Sequence, residues 1–148
     1  MKAFDKKLRG ETLIEIVLAI GLAVMVLFAL VVLGSSSIKT GTSSSRRSVA
    51  EKLSSSGIEA IRYLRDTNGF DNLSNGCYKI DPDQIVDNLA CDTWDALTLA
   101  DGSKYDRKIE VADYAGSSTM KKVTATSKWV ESGGDKQVVI STVLTKWQ

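Results

Sequence analysis

The chain has 148 residues, with 19 Lys and Arg against 18 Asp and Glu, which gives a formal net charge of +1. So small a net charge supplies no bulk attraction for nucleic acid or an anionic surface. There is no histidine, the commonest general base, and two cysteines alone do not build a zinc site. The length fits one domain.

The N-terminal part of the chain has the charge pattern of a membrane helix. Residues 1–10 carry four bases and one acid, and residues 13–33 form a run of 21 residues in which Glu15 is the only charge. As a helix this run would be roughly 32 Å long, close to the ~30 Å hydrocarbon core of a bilayer. Positive charge before an apolar run places the N-terminus in the cytoplasm and the rest of the chain beyond the membrane.

Two simpler interpretations of this N-terminus remain open. A cleaved signal peptide has a shorter apolar core and a small-residue cleavage site, which Gly34 and the serines after it could supply. A plain signal anchor would only tether the domain, but it leaves Glu15 unexplained. A carboxylate in a membrane helix costs about 2.5–3.5 kcal/mol near the centre and less near an end. Its partner is therefore expected on another molecule, or at a terminus created by cutting the chain.

The segment KKLRGETLIEI, from Lys6 to Ile16, resembles the N-terminal signature of type IV pilins and pseudopilins. In that family a basic leader ends in Gly, a prepilin peptidase cuts after it on the cytoplasmic face, and the new N-terminus is N-methylated. The resemblance implies cleavage between Gly10 and Glu11 and methylation of Glu11. It also implies that Glu15, the fifth mature residue, forms a salt bridge with the N-terminus of a neighbouring subunit. Glu15 would then serve assembly and not catalysis.

Two differences from major pilins favour a minor pilin or a secretion pseudopilin. The first mature residue is usually apolar, whereas Glu11 stands here, four positions before Glu15. Major pilins often carry a proline well inside the first helix, and Val32 occupies that place.

The resemblance implies a type IV pilin-like α+β fold. A long N-terminal helix, half transmembrane and half amphipathic, would pack on a small antiparallel β-sheet. The expected parts are a leader over 1–10, a transmembrane and assembly helix over 11–34, a helix continuation or stalk over 35–66, and a head outside the cytoplasm over 67–148. Because residues 35–48 are rich in Ser, Thr and Gly, a flexible linker is the alternative there.

Apolar residues return at roughly helical spacing from Arg46 onward, and Asn68-Gly69 is a helix stop signal. We expect this segment to pack its apolar stripe on the sheet and to expose its mixture of Arg and Glu. The stripe consists of Val49, Leu53, Ile58, Ile61 and Leu64.

The remainder of the chain has strand patterns. We expect strands at 78–80, 107–114, 122–130 and 137–147, with a hairpin loop at 131–136 that contains the glycines of a tight reversal. Pro82 interrupts the first of these regions. Alternation in the third strand places four residues on one face: Val123, Ala125, Ser127 and Trp129.

Cys77 and Cys91 enclose a segment of 15 residues beyond the predicted membrane helix. If that compartment is oxidising we expect a disulfide, which is worth roughly 3 kcal/mol by loop closure. Two buried free thiols are the alternative.

The same loop and its surroundings are acidic. Asp81 and Asp83 suggest calcium, but Val86 stands where an EF-hand loop needs Gly, so we predict no metal and no cofactor. A solvated acidic loop is expected instead, formed by these residues together with Asp87, Asp92 and Asp95.

The predicted function is that of a structural subunit of a type IV pilus or related filament, first in the cytoplasmic (inner) membrane and then at the cell surface. Its partners would be other pilin subunits, the prepilin peptidase, the inner-membrane assembly platform and lipid, with no small-molecule substrate. Enzyme motifs are missing from the sequence, so we expect no enzymatic activity.

The alternative is a membrane-anchored or tip-located binding module, for adhesion or DNA capture, with no filament-building role. Basic residues of the head could meet phosphates, but acids lie among them and no aromatic-basic stripe appears, so nucleic acid is not expected. These basic residues are Lys104, Arg107, Lys108, Lys121, Lys122 and Lys128.

Overall fold

The computed structural model describes residues 8–81, 84–131 and 133–146, with side chains from residue 12 onward except those of 81–89. It has the expected α+β layout, in which one long N-terminal helix packs on an antiparallel sheet. The helix, α1, spans Leu8–Asn68, and a short 3-10 helix follows at Phe70–Asn72. The strands are β1 (Gly76–Asp81), β2 (Gln84–Leu89), β3 (Asp95–Thr98), β4 (Lys104–Tyr114), β5 (Ser117–Glu131) and β6 (Gly134–Thr145).

The chain forms two compact units, of which the first ends at Thr42 and the second comprises Ser43–Gln148. In the first unit every described side chain, from residue 12 to 42, is exposed. The apolar part reaches a mean hydropathy of 3.3 over 18 residues, so this helix is long and apolar enough to cross a membrane.

The Ser- and Thr-rich segment that follows the apolar run is helical, so the linker interpretation is wrong. Ser35, Thr40 and Thr42 each donate a hydroxyl hydrogen bond to the carbonyl four residues earlier, at 2.9, 3.0 and 3.2 Å. Such bonds let Ser and Thr side chains remain within a helix.

In the second unit α1 packs its apolar stripe on the sheet, as expected. Ile58 and Ile61 are buried, and Leu64 packs against the same cluster. The helix ends where predicted: Gly69 adopts φ 87°, and its N–H bonds to the Arg65 carbonyl at 2.8 Å. Glycine takes a positive φ without steric cost, which is why it often stands just after the end of a helix.

The sheet has the order β2-β1-β4-β5-β6, and all pairs are antiparallel. β3 also pairs with β4, on the side that β1 occupies, so the two short strands share one edge of β4. β4 and β5 are joined by Ala115 and Gly116, whose φ values are 52° and 73°. Positive φ at both positions matches the right-handed twist of the flanking strands.

The structure extends or corrects several strand predictions. β5 and β6 pair without interruption from Met120 opposite Thr145 to Glu131 opposite Gly134. The predicted hairpin loop at 131–136 is therefore too long. The expected strand at 78–80 lies inside β1, whereas β2 and β3 were not predicted.

The main core lies between α1 and the sheet. The face expected for the third strand is confirmed, since its four residues are buried as part of β5. The cluster contains Ile58, Ile61, Phe70, Leu73, Tyr78, Ile109, Val111, Val123, Ala125 and Leu144. A second, smaller cluster is formed by Ala50, Tyr105 and Trp129.

Candidate functional site

The predicted assembly residue Glu15 lies in the exposed apolar half of α1. Leu13, Ile14 and Ile16 beside it are each more than half exposed. Among the side chains that the structure describes, none forms a salt bridge or hydrogen bond with the Glu15 carboxylate. Its predicted salt bridge belongs to a second chain and stays a prediction.

The predicted cleavage site lies at the beginning of the same helix. Gly10 and Glu11 both belong to α1, which begins at Leu8. The Glu11 side chain lies outside the described residues. Cleavage and methylation at this position also stay predictions.

The cysteine pair forms the expected disulfide, with a Cα–Cα distance of 5.2 Å between Cys77 and Cys91. Cys77 lies in β1 and is buried. The bridge therefore fastens the segment after β2 to the sheet.

The acidic region divides into residues with different surroundings. Asp92 is exposed, but Asp95 is only 5% exposed, so its place in a solvated loop was wrong. Asp95 stands opposite Arg107 in the β3–β4 ladder, and its Oδ2 accepts a 2.8 Å hydrogen bond from Arg107 Nη2. Lys79 Nζ lies 4.0 Å from the other carboxylate oxygen. The buried Arg107 guanidinium compensates the charge of the Asp95 carboxylate, so this carboxylate can lie in the core.

The carboxylates that suggested calcium lie largely outside the described residues. Asp83 lies outside the described residues, as do the side chains of Asp81 and Asp87. Within the described part of the chain, no three His, Cys, Asp or Glu side chains come together to hold a metal ion.

The basic residues named for the head differ in their surroundings. Arg107 is buried in the ion pair described above, so the suggestion that it could meet a phosphate is wrong. Lys121 Nζ donates to Asn75 Oδ1 at 2.7 Å and to Asp113 Oδ1 at 3.0 Å.

Two further lysines of this set contact Trp94. The Nζ atoms of Lys108 and Lys128 lie 5.3 and 4.1 Å from the Trp94 ring centroid. Lys128 Nζ is also 3.6 Å from Asp106 Oδ2. These contacts place Trp94 against the face of the sheet that carries both lysines.

Two adjoining grooves of about 280 and 300 Å³ occur in the second unit, and Arg46, Ser103 and Tyr105 line both. Arg46 Nη1 donates to the Val130 carbonyl at 3.1 Å, which anchors the guanidinium. On the wall of the smaller groove the Ser103 hydroxyl and amide donate to the Asp101 carboxylate, and these bonds lower the pKa of Asp101.

Sequence reasoning missed one buried polar contact between α1 and the sheet. Ser54 and Ser127 are both fully buried, and their hydroxyl oxygens are 2.8 Å apart. A signal existed, because Ser54 falls four positions after Ala50 and four before Ile58, on the apolar stripe.

Comparison of the chain with known proteins gives no match to a protein-family model, a curated protein or a solved structure.

Proposed function

We propose that this chain is a structural subunit of a type IV pilus or a related filament, of the minor pilin or pseudopilin kind. One observation carries the proposal: Glu15 is the only charge in an exposed apolar helix segment, preceded by the basic, glycine-ended segment that resembles a pilin leader. The α+β layout, in which α1 packs on an antiparallel sheet, is compatible with this function.

The physical basis is that the exposed apolar helix needs a different environment. Side chains such as Leu18, Leu27 and Phe28 are 61%, 62% and 71% exposed, which is unfavourable in water and favourable in lipid or among other helices. A bundle of such helices would cover this surface. Inside it Glu15 would be desolvated, so a neighbour's positive N-terminus would attract it much more strongly than in water.

Processing would create the positive N-terminus that this salt bridge requires. Cleavage after Gly10 by a prepilin peptidase would leave Glu11–Gln148, which is 148 − 10 = 138 residues. It would remove four bases and one acid, leaving 15 bases and 17 acids and a side-chain charge of −2. The mature chain would therefore be both lighter and more acidic.

The first test is the intact mass of the protein from native membranes and from sheared surface filaments. We expect the mass of Glu11–Gln148 with one added methyl group and two hydrogens fewer, the latter for the disulfide. Its presence in filaments at low abundance beside a major subunit would support a minor pilin. A full-length mass from Met1, confined to membranes, would overturn the proposal in favour of an anchored binding module.

The second test separates assembly from membrane insertion. Glu15→Gln keeps the size of the side chain and removes its charge, so we expect normal membrane insertion with at least a tenfold lower amount in filaments, as for the loss of about 1.4 kcal/mol. Glu51→Gln is the matched control, because Glu51 lies in the same helix and its ion pair with Arg47 is exposed. Equal filament levels for both variants would show that Glu15 has no assembly role.

A further inference from the structure

Beyond Asp135 and Lys136 at its beginning, the outer edge of β6 is a long strand edge that lacks the usual protection. In the part of the chain that the structure describes, β6 pairs only with β5. Residues 137–145, QVVISTVLT, contain no charge and no proline, and their pairing with β5 has no bulge. Proteins normally protect such edges with charges, prolines, bulges or short strands, because open edges recruit further strands.

The opposite edge of the sheet is protected, which makes the contrast within this molecule clear. β2 has only 6 residues, carries Asp87 and is joined to β1 by an irregular register between Cys77 and Lys79. One edge of this sheet is therefore blocked and the other is open.

The backbone groups of β6 alternate between β5 and the open edge. The Lys146 N–H bonds to the Thr119 carbonyl of the β5 side at 3.0 Å. By the alternation of an antiparallel ladder, the even-numbered residues of β6 bond to β5, and the odd-numbered residues direct N–H and C=O groups outward. Among these, Val139 and Val143 also expose their side chains, by 54% and 41%.

We propose that this edge binds the β6 strand of a second copy of the chain, antiparallel and centred on Ser141. Side chains opposite each other across two strands must lie on the same face, so a residue pairs only with one of the same parity. Centring on Ser141 is the register that places all nine uncharged residues opposite one another. In this register Val139 of each copy lies opposite Val143 of the other, and Gln137 of each copy lies opposite Thr145 of the other.

The ends of the strand carry charges in this register. Lys136 and Lys146 fall opposite each other just outside the uncharged run. The Lys146 ammonium is already paired with the Asp71 carboxylate, at 2.6 and 2.7 Å from its two oxygens, so its charge is compensated. The contact is isologous, with a two-fold axis through Ser141. It involves the head alone and does not depend on the proposed function.

The test uses the full chain in detergent at roughly 100 μM, with oligomeric state measured by light scattering. We expect a dimer whose dissociation constant rises at least tenfold in Val139→Lys, which places a charge on the edge at an exposed site. Val130→Lys is the matched control: Val130 is 71% exposed, and the same charge there lies away from the edge. A monomer at this concentration, or equal effects of both variants, would overturn the proposal.

Cysteine crosslinking tests the register and separates it from unspecific aggregation. In Ser141→Cys the two new thiols would face each other across a ladder pair with Cα atoms about 5.5 Å apart, within disulfide range. In Gln137→Cys they would be roughly 27 Å apart, eight residues along the ladder. We expect oxidation to link Ser141→Cys into dimers and to leave Gln137→Cys unlinked. Linking of both variants, or of neither, would overturn the register.

Discussion

Ser54 on α1 and Ser127 on β5 meet in the core through hydroxyl oxygens 2.8 Å apart, and both residues are completely buried. The contact lies on the apolar face of the helix and joins it to β5, next to the edge strand β6. Each hydroxyl is the other's partner, so the pair places two polar groups in the core without leaving either unsatisfied.

Substitution of one serine alone should therefore cost more than substitution of both. We expect Ser54→Ala or Ser127→Ala to lower the free energy of unfolding by about 1–3 kcal/mol, because a buried hydroxyl loses its partner. The double variant should recover much of this loss. Urea unfolding of the full chain in detergent, followed by tryptophan fluorescence, measures the cycle. Ser55→Ala, at an exposed neighbour, is the control; strictly additive losses in the double variant would disprove the coupling.

At Gly57 α1 lies close to β4, and a side chain there would require Ile109 to move. A Cβ atom at this position would lie 2.8 Å from Ile109 Cδ1 and 3.0 Å from Ile109 Cγ1. Although alanine favours helix by about 1 kcal/mol over glycine, overpacking of a core costs about 1–3 kcal/mol. We expect Gly57→Ala to lower the thermal unfolding midpoint and Ile109→Val, which removes Cδ1, to rescue it partly.

Gly41→Ala is the matched control for that experiment, since nothing lies within 4 Å of a Cβ atom at Gly41. It should leave the midpoint unchanged or raise it slightly. A raised midpoint for Gly57→Ala would contradict this prediction, because it would show that Ile109 can make room for the new methyl group without cost.

Loss of one partner of the Asp95–Arg107 pair should strongly destabilise the folded protein. Both side chains are nearly buried, at 5% and 6% exposure. We expect Asp95→Ala to cost about 3–5 kcal/mol of unfolding free energy, because the arginine charge stays in the core uncompensated. The double variant Asp95→Leu/Arg107→Met, in which apolar groups replace both charges, should recover most of this in urea unfolding.

The exposed pair of Glu59 and Arg62, with side chains 65% and 41% exposed, is the control for the buried pair. Glu59→Ala should cost less than about 1 kcal/mol. Similar losses in Asp95→Ala and Glu59→Ala would show that burial of the first pair has no energetic consequence.

The Asp101 carboxylate should titrate below the ordinary aspartate value of 3.8. The Ser103 hydroxyl is the largest cause, followed by the Ser103 amide. Because the folded pKa lies below the unfolded one, the stabilisation is present above about pH 3.8 and is lost as the pH falls through the folded pKa. We expect Ser103→Ala to raise the Asp101 pKa in a carboxyl NMR titration.

Asp113 provides an internal control in the same titration. Its pKa is lowered by hydrogen bonds from Asn75 and Lys121, which Ser103→Ala does not touch. It should keep its lowered value in the variant. A shift of both carboxyls together would point to a change of fold and not to the loss of one hydroxyl.

Local patterns in the sequence predicted the parts of the fold that depend on local rules. The end of α1 follows from the conformation that Gly69 adopts, and the buried face of β5 follows from alternation. β2 and β3 were missed because they are short, at 6 and 4 residues, and neither carries a clear alternation of apolar and polar residues. Asp95 was misplaced because its burial depends on its position opposite Arg107, which the local pattern does not show.

Only those features of the candidate site that lie within a single chain could be predicted from the sequence. The Glu15 pattern is readable in the sequence, and the disulfide was predicted from compartment and spacing. The salt bridge of Glu15 is an intermolecular contact, so neither the sequence nor a single chain's structure contains its partner.

The two kinds of strand connection in the head imply an order of folding. β4, β5 and β6 are joined by two-residue connections, at Ala115–Gly116 and between Glu131 and Gly134. Hairpins of this kind form in about 1–10 μs, while pairings between distant segments must first close a long loop. The β4–β5–β6 meander can thus form early, and β1 joins it from more than 30 positions away, with Gly76 opposite Val111. Oxidation of Cys77 and Cys91 would then close a loop in a segment that is already paired with the β4–β5–β6 meander.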